Sequence, residues 1–364
     1  MMFRYIANAR LPTEKAHGVQ IMKTCEALAR EGAAVELVVP RRRNPLREDP
    51  FAYYGVKTVF RITYLPVIDS VWLGRFGFWL ESLSFALAVI AHMLLSRADV
   101  YYSRDELPLW LVSFFKRNIV WESHTGRYNL FARRLLKAPR KAVVISQGLK
   151  NYYKERGATA RMLVAHDGVD LSAFEHPQPQ EAARARLGLP LDKKIALYAG
   201  RLDGWKGVET LCEAAGLLPE NVRVAVIGGE DAQVAMFKKK YPNLLFLGAR
   251  PYRELADNQA AADVLVLPNT GKDEISARFT SPLKLFSYLT AGKPIVASDL
   301  PSLREVIDEE SAFFFIPDSP PSLAAAIKKA VNEPGDKPAR ARSLAARYSW
   351  DARARSIVEY IGTI

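Results

Sequence analysis

Twice along its length this chain alternates short β-rich apolar runs with longer amphipathic stretches, and few folds accommodate that pattern. In the first half the runs are FRYIA (3–7), AVELVVP (34–40), VYYS (100–103), IVWES (119–123) and AVVIS (142–146). Between the first two lies GVQIMKTCEALAREG, with Ile21, Cys25, Leu28 and Ala29 at helical spacing and Gly32 as its stop. From residue 185 the pattern restarts with IALYAG, the helix-like GVETLCEAAGLL, VRVAVIGG, LLFLG, DVLVLP and PIVAS. Strands separated by helices predict parallel, doubly wound sheets, so the fold class is α/β with two Rossmann-like domains.

The length of 364 residues, 49% of them hydrophobic, suffices for two cores. The Asp-, Gly- and Pro-rich stretch VAHDGVDLSAFEHPQPQ interrupts both periodicities and sets the boundary near 165–180. The expected organisation is a first domain at 1–168, a linker at 169–184, a second domain at 185–347, and a C-terminal helix at 348–364 packing back on the first domain. VWLGRFGFWLESLSFALAVIAHMLL (71–95) is strongly apolar, but Arg75, Glu81 and His92 interrupt it. The uncharged run from Ser82 to Ala91 is far short of the ~20 residues a membrane span needs. It reads first as a helix buried in the domain, and second as an interfacial one.

Cys25 and Cys212 lie in different predicted helices without metal-site spacing, so neither a disulfide nor a cysteine metal site is expected. The opening MMFRYIANARLP carries no secretory pattern, and a cytoplasmic protein is expected. The net charge is +12, and its distribution is uneven. Through residue 172 the balance is 26 minus 15, or +11; beyond it, 25 minus 24, or +1. Such a field is either a solvated basic face or an attractor of anions such as phosphorylated substrates, lipid headgroups or nucleic acid. No aromatic-interleaved basic stripe or known nucleic-acid motif accompanies it, so nucleic acid is not an expected partner.

Two constellations carry chemistry. YAGRLDGWKG (198–207) leaves the C-terminal end of a predicted parallel strand, the edge where such sheets bind ligands. Gly200, Gly204 and Gly207 allow close backbone approach, Arg201 offers a planar fork of donors and Lys206 a point charge, a set that suits a diphosphate. The segment is neither a G-x-G-x-x-G nor a Walker loop. The second is TSPLKLFSYLTAGKPIVASDLPSLREV (280–306), where Ser281 reads as an N-cap and Pro282 as the first helical residue. The helix N–H groups favour an anion, and Lys284 in the first turn opposes the dipole unless one docks there.

Taken in order, YAGRLDGWKGVETLCEAA, VAHDGVDLSAF, LGARPYRELADNQAAADVLVLP and SPLKLFSYLTAGKPIVASDLPSLREV resemble the retaining GT-B nucleotide-sugar glycosyltransferases of family four. PTEKAHGVQIMKTCEALAREGAAVELVVP and WESH (121–124) are similar to that family's acceptor-side domain. The resemblance implies two Rossmann-like domains facing across a cleft, with Arg201 and Lys206 neutralising the donor diphosphate and the backbone at Pro282, Leu283 and Lys284 capping it. It implies that the nucleobase is held around Arg250, and that His124 faces the transferred sugar. It places acceptor groups near His17 and Gly18. The family's two glutamates, eight positions apart, are replaced here by Phe279 and Ser287, which leaves Ser287 to offer one hydroxyl to the ribose. No Asp-x-Asp and no His/Cys cluster occurs, so neither metal nor cofactor is expected.

The implied reaction moves a sugar from a nucleoside diphosphate to an acceptor hydroxyl with retention of configuration, in cell-envelope polysaccharide or glycolipid synthesis. The expected acceptor is a glycan or lipid-linked group, met by the basic first domain in peripheral contact with the inner face of a membrane. Arg127, Arg133, Arg134, Lys137, Arg140 and Lys141 supply the cations for that contact. Three other readings stay open: a nucleotide-sugar epimerase of the same fold, a non-enzymatic basic binding protein, and a catalytically weakened partner subunit.

Overall fold

In the computed structural model, which describes residues 1–362, the two strand–helix patterns become two separate parallel sheets. Contacts divide the chain into a first unit, Met1–Asp167 with the chain from Trp350 on, and a second unit, Gly168–Ser349.

The first unit's sheet runs β3-β2-β1-β4-β5-β6-β7. Its strands are β1 (Met2–Ile6), β2 (Ala34–Arg41), β3 (Arg61–Pro66), β4 (Val100–Ser103), β5 (Ile119–Ser123), β6 (Lys141–Val144) and β7 (Arg161–Val164). The second runs β10-β9-β8-β11-β12-β13, from β8 (Lys194–Ala199), β9 (Val222–Ile227), β10 (Leu245–Phe246), β11 (Val264–Leu267), β12 (Ile295–Ser298) and β13 (Phe313–Phe315). Strand order therefore reverses between β1 and β4 in one sheet and between β8 and β11 in the other. Loops at the C-terminal ends of those pairs open the crevices where such sheets take ligands.

The strands read as unbroken apolar runs because both sheet faces are covered. In β8, Ile195, Leu197 and Ala199 enter one core cluster while Ala196 and Tyr198 enter the other. A helix at Gln180–Leu187 already occupies the end of the stretch expected to be linker. Where the chain enters and leaves the second unit, Val169 N–H donates to the Tyr348 carbonyl at 2.9 Å. The C-terminal helix, Trp350–Gly362, lies with the first unit and buries Trp350, Arg353, Ala354 and Ile357.

The stretch 71–95 departs from its first reading as a buried helix. It forms a short turn, Val71–Leu73, and a 22-residue helix, Gly74–Leu95, of which only one face is buried. Gly77, Glu81, Phe85, Ala86, Val89 and Met93 face inward, and only 33% of its most apolar window is buried. Composition alone misleads here because both faces of the helix are apolar.

Candidate functional site

In the second unit, the loop after β8 is shaped by glycines at close crossings. Gly200 N–H continues the β8–β9 ladder to the Ile227 carbonyl at 2.9 Å. A β-carbon on Gly228 would lie 2.1 Å from the Gly200 carbonyl oxygen, and one on Gly207 would lie 1.7 Å from the Pro268 carbonyl oxygen at the end of β11. Gly207 also has φ +70, a conformation that only glycine adopts without strain. Gly207→Ala is therefore expected to destabilise the unit by about 2 kcal/mol or more, since the clashing atom is backbone and cannot swing away. Thermal unfolding of the variant measures this.

Three cations gather around that loop. Arg201 is half exposed and reaches Asp203 at 3.2 Å. Lys206 Nζ lies 3.4 Å from the centre of the Trp205 ring, and burial pushes its pKa down to about 8, with Asp203 opposing and Arg201 adding to the shift. Lys284 Nζ lies 3.9 Å from the centre of the Tyr198 ring, beside Gly200, and is buried without a hydrogen-bond partner. Burial, then repulsion from Lys206, holds Lys284 well below the usual lysine range. A buried ammonium without a partner is unfavourable unless an anion joins it.

The helix bearing Lys284 runs Leu283–Thr290 and starts one residue later than expected. Pro282 holds the N-cap position, one residue beyond Ser281, to which the sequence reading assigned it. The first N–H groups of the helix have no intrahelical partner, which suits an anion at this end. Tyr288 docks the helix onto the sheet by accepting the Ala199 N–H at 3.0 Å. Directly before it, Ile275–Phe279 makes a π-helical turn that buries Phe279.

Ser287, read as a ribose contact, is turned inward. Its hydroxyl accepts from Gln259 Nε2 at 2.8 Å and donates to the Lys284 carbonyl at 2.9 Å. This corrects the ribose role, because the oxygen is buried and engaged within the protein. Arg250 follows Gly248, whose carbonyl accepts the Gly228 N–H at 2.7 Å, and its side chain is exposed. The segment expected to hold the nucleobase thus lies beside the glycine turn at 228–229.

In the first unit, His124 follows β5 and its Nε2 lies 2.6 Å from Glu122 Oε1. Glu122 is fully buried and also receives Gln20 Nε2 at 2.6 Å, Arg353 at 2.7 Å and the Tyr102 hydroxyl. Against the effect of burial, Arg353 first and then His124 hold its carboxyl far below the usual range. With Glu122 ionised, Nε2 carries the hydrogen and Nδ1 is left as an acceptor. Burial, then Arg104, lowers the His124 pKa against the pull of Glu122, which keeps the imidazole neutral near pH 7.

His17 and Gly18, expected on the acceptor side, lie in the first turn of the helix Ala16–Arg30. A β-carbon on Gly18 would meet the Tyr54 hydroxyl at 2.1 Å, and that hydroxyl is hydrogen-bonded to Thr13 on both backbone groups. Gly18 therefore has a packing reason of its own. At the β1/β4 reversal, Asn8 N–H donates to Asp105 at 2.6 Å and Arg104 donates to Gln20 at 2.6 Å. Sequence reasoning missed Gln20, which lies in the quoted stretch 12–40 without being singled out, and Tyr102, Arg104 and Arg353, none of which sits in a motif.

Glu122, His124 and Asp167 bring possible metal-ligating atoms within 4.8 Å of one another. They fit a cation poorly. The Arg353 guanidinium already sits on Glu122 Oε1, which Gln20 and His124 share, and the Tyr102 hydroxyl donates to Oε2.

The comparisons with known proteins agree with this architecture. The family model for glycosyltransferase family 4 matches residues 17–173, and that for glycosyl transferases group 1 matches residues 193–333. D-inositol 3-phosphate glycosyltransferase of Xylanimonas cellulosilytica is 29% identical over 217 residues, 55% of this chain and 50% of that protein. The putative teichuronic acid biosynthesis glycosyltransferase TuaC of Bacillus subtilis is 29% identical over 172 residues, 47% of this chain and 42% of its own length. The chain thus spans about half the length of these relatives. Among solved structures, sucrose-phosphate synthase of Thermosynechococcus elongatus aligns with a TM-score of 0.76 at 21% identity, over 99% of this chain and 98% of that one. Anabaena HepE in complex with UDP-glucose aligns with a TM-score of 0.76 at 16% identity over all of both chains. Both pairings are likenesses of fold. With matches to both halves and two parallel-sheet units of the GT-B type, the chain belongs to the family-4, group 1 glycosyltransferases.

Proposed function

We propose that the chain transfers a sugar from a nucleoside-diphosphate sugar to an acceptor hydroxyl with retention of configuration, without a metal. The observation that carries this reading is the set of three cations, Arg201, Lys206 and Lys284, at the β8/β11 reversal, where burial holds both lysines below their ordinary pKa and the Asp203 carboxylate lies 3.2 Å from Arg201. A departing diphosphate gains negative charge, so fixed cations and helix N–H groups stabilise the transition state more than the bound substrate. Arg201, Lys206 and the backbone at Pro282, Leu283 and Lys284 take the diphosphate in this reading, and the segment at Arg250 takes the base. The solved likeness to a protein complexed with UDP-glucose supports a nucleotide-sugar donor.

His124 then serves the sugar as a neutral imidazole, with Nδ1 as acceptor for a sugar or acceptor hydroxyl. The acceptor is a glycan or lipid-linked group of the cell envelope, recruited by the basic first unit in peripheral contact with a membrane. Incubation with a panel of nucleoside-diphosphate sugars tests the reaction: release of nucleoside diphosphate should depend on added acceptor, and NMR of the product should show the donor's anomeric configuration. Conversion of the sugar with no acceptor would instead establish an epimerase.

A further inference from the structure

The helix Gly74–Leu95 and the turn before it carry a face that the protein itself leaves uncovered. Trp72, Phe76, Trp79, Leu83, Leu87 and Leu94 recur at helical spacing and are exposed, Trp72 by 82%, Phe76 by 74% and Leu94 by 72%. A contiguous stripe of large apolar side chains this long, with two tryptophans at one end, is unusual on a monomer and marks an interaction surface.

The opposite face fixes how the stripe can be used. Phe85, Ala86, Val89 and Met93 are buried in the first unit, and Glu81 on the same side is fully buried, accepting Asn8 Nδ2 at 3.1 Å. Gly77 lets the preceding turn press on the helix, since a β-carbon there would lie 1.7 Å from the Ser70 carbonyl oxygen. Crossing a bilayer would strip out this packing and leave a carboxylate in hydrocarbon. The helix is built to lie on an apolar phase.

Charge identifies that phase. The helix Glu106–Val112 packs beside the long helix, and Leu130–Leu135 packs beside it in turn. From residue 106 to 141 the chain has eight Lys and Arg against two carboxylates, Glu106 and the buried Glu122. Arg75 and Arg97 flank the stripe itself, and both are exposed. A second copy of the chain would bring two surfaces of the same sign together, whereas an anionic headgroup layer complements both the cations and the aromatic residues. We propose that this face inserts into the headgroup region of a bilayer containing anionic phospholipid, with the helix axis in the membrane plane. The inference deepens the reading of a lipid-linked acceptor and rests on it only for purpose, so binding is measured without donor or acceptor.

The test is sedimentation with vesicles of phosphatidylcholine alone or with phosphatidylglycerol, at low and high salt, monitored also by tryptophan fluorescence. The protein should bind the anionic vesicles with a blue shift, and alkaline carbonate should release it. Replacing Trp72, Phe76 and Trp79 together by Ser should lower partitioning by about 10-fold or more, because three large apolar side chains are lost from the inserting face. Melting temperature should stay within about 2 °C, since the three side chains are exposed. Arg133→Glu with Lys137→Glu should weaken binding chiefly at low salt. Failure of the parent protein to bind, equal binding by the triple variant, resistance to carbonate, or a dimer that the triple variant dissolves would each overturn the proposal. Nucleoside-diphosphate binding by the triple variant, followed in the same preparations, shows separately whether the donor site is intact.

Discussion

Replacing Lys206 by Met is expected to weaken nucleoside-diphosphate binding while stabilising the protein that has none bound. The two effects share one cause. In the unliganded protein the ammonium is half-buried beside Arg201, with its pKa down to about 8. A folded pKa below the unfolded value of about 10.4 means that the charged form is penalised by folding. The penalty is complete below pH 8 and disappears as the pH rises toward 10.5. Such a depression would amount to about 3 kcal/mol for a fully buried group, and partial exposure reduces that to about 1–2 kcal/mol. The variant should therefore melt about 2–6 °C higher at pH 7, and the difference should fade near pH 10. With a diphosphate present the sign reverses. Loss of a charge-assisted contact of about 2–4 kcal/mol should weaken binding by about 30- to 1,000-fold, as read by calorimetry.

Arg353→Met is expected to destabilise the first unit by about 3–5 kcal/mol, because it leaves the buried Glu122 without its cation. The guanidinium donates to Glu122 at 2.7 Å and to the His166 carbonyl at 2.9 Å, and its side chain is almost wholly buried. The pH dependence separates loss of charge pairing from loss of packing. In the parent protein Glu122 has a depressed folded pKa, so its contribution to stability is present above about pH 4.5 and is lost as the pH falls below it. In the variant the carboxyl is relieved by protonation, so its deficit relative to the parent should shrink toward pH 4. Adding Glu122→Gln to Arg353→Met should recover part of the stability, with a coupling of about 2 kcal/mol or more in a double-mutant cycle. Because Glu122 orients His124, the single variant should also lower kcat more than it raises KM.

Much of the second unit's cation cluster was legible in the sequence because parallel strands, buried on both faces, read as apolar runs and the loop after such a strand opens at the edge where these sheets take ligands. Arg201, Lys206 and Lys284 lie together as their positions on that loop and that helix start required. The Glu122–His124 pair was legible too, since alternate residues of a strand share a side. Arg353 was not, because 231 residues separate it from Glu122 and only tertiary packing unites them. Ser287 was misread for the converse reason: its helix position was correct, but Gln259, on another helix, draws its hydroxyl inward. The helix Gly74–Leu95 escaped because hydrophobicity on all sides does not tell which face meets the protein.

If the three cations at the β8/β11 reversal take a diphosphate, its binding is linked to proton uptake. Calorimetric titration with UDP and with inorganic pyrophosphate at pH 8, in two buffers of different ionisation enthalpy, counts the protons taken up. A lysine with a pKa of about 8 is half deprotonated there, and an arriving anion restores its charge. Binding should take up about half a proton or more, and Lys206→Met should reduce that uptake along with the affinity. Binding of UDP with no proton uptake, or the absence of binding of both anions, would contradict a diphosphate site at these cations.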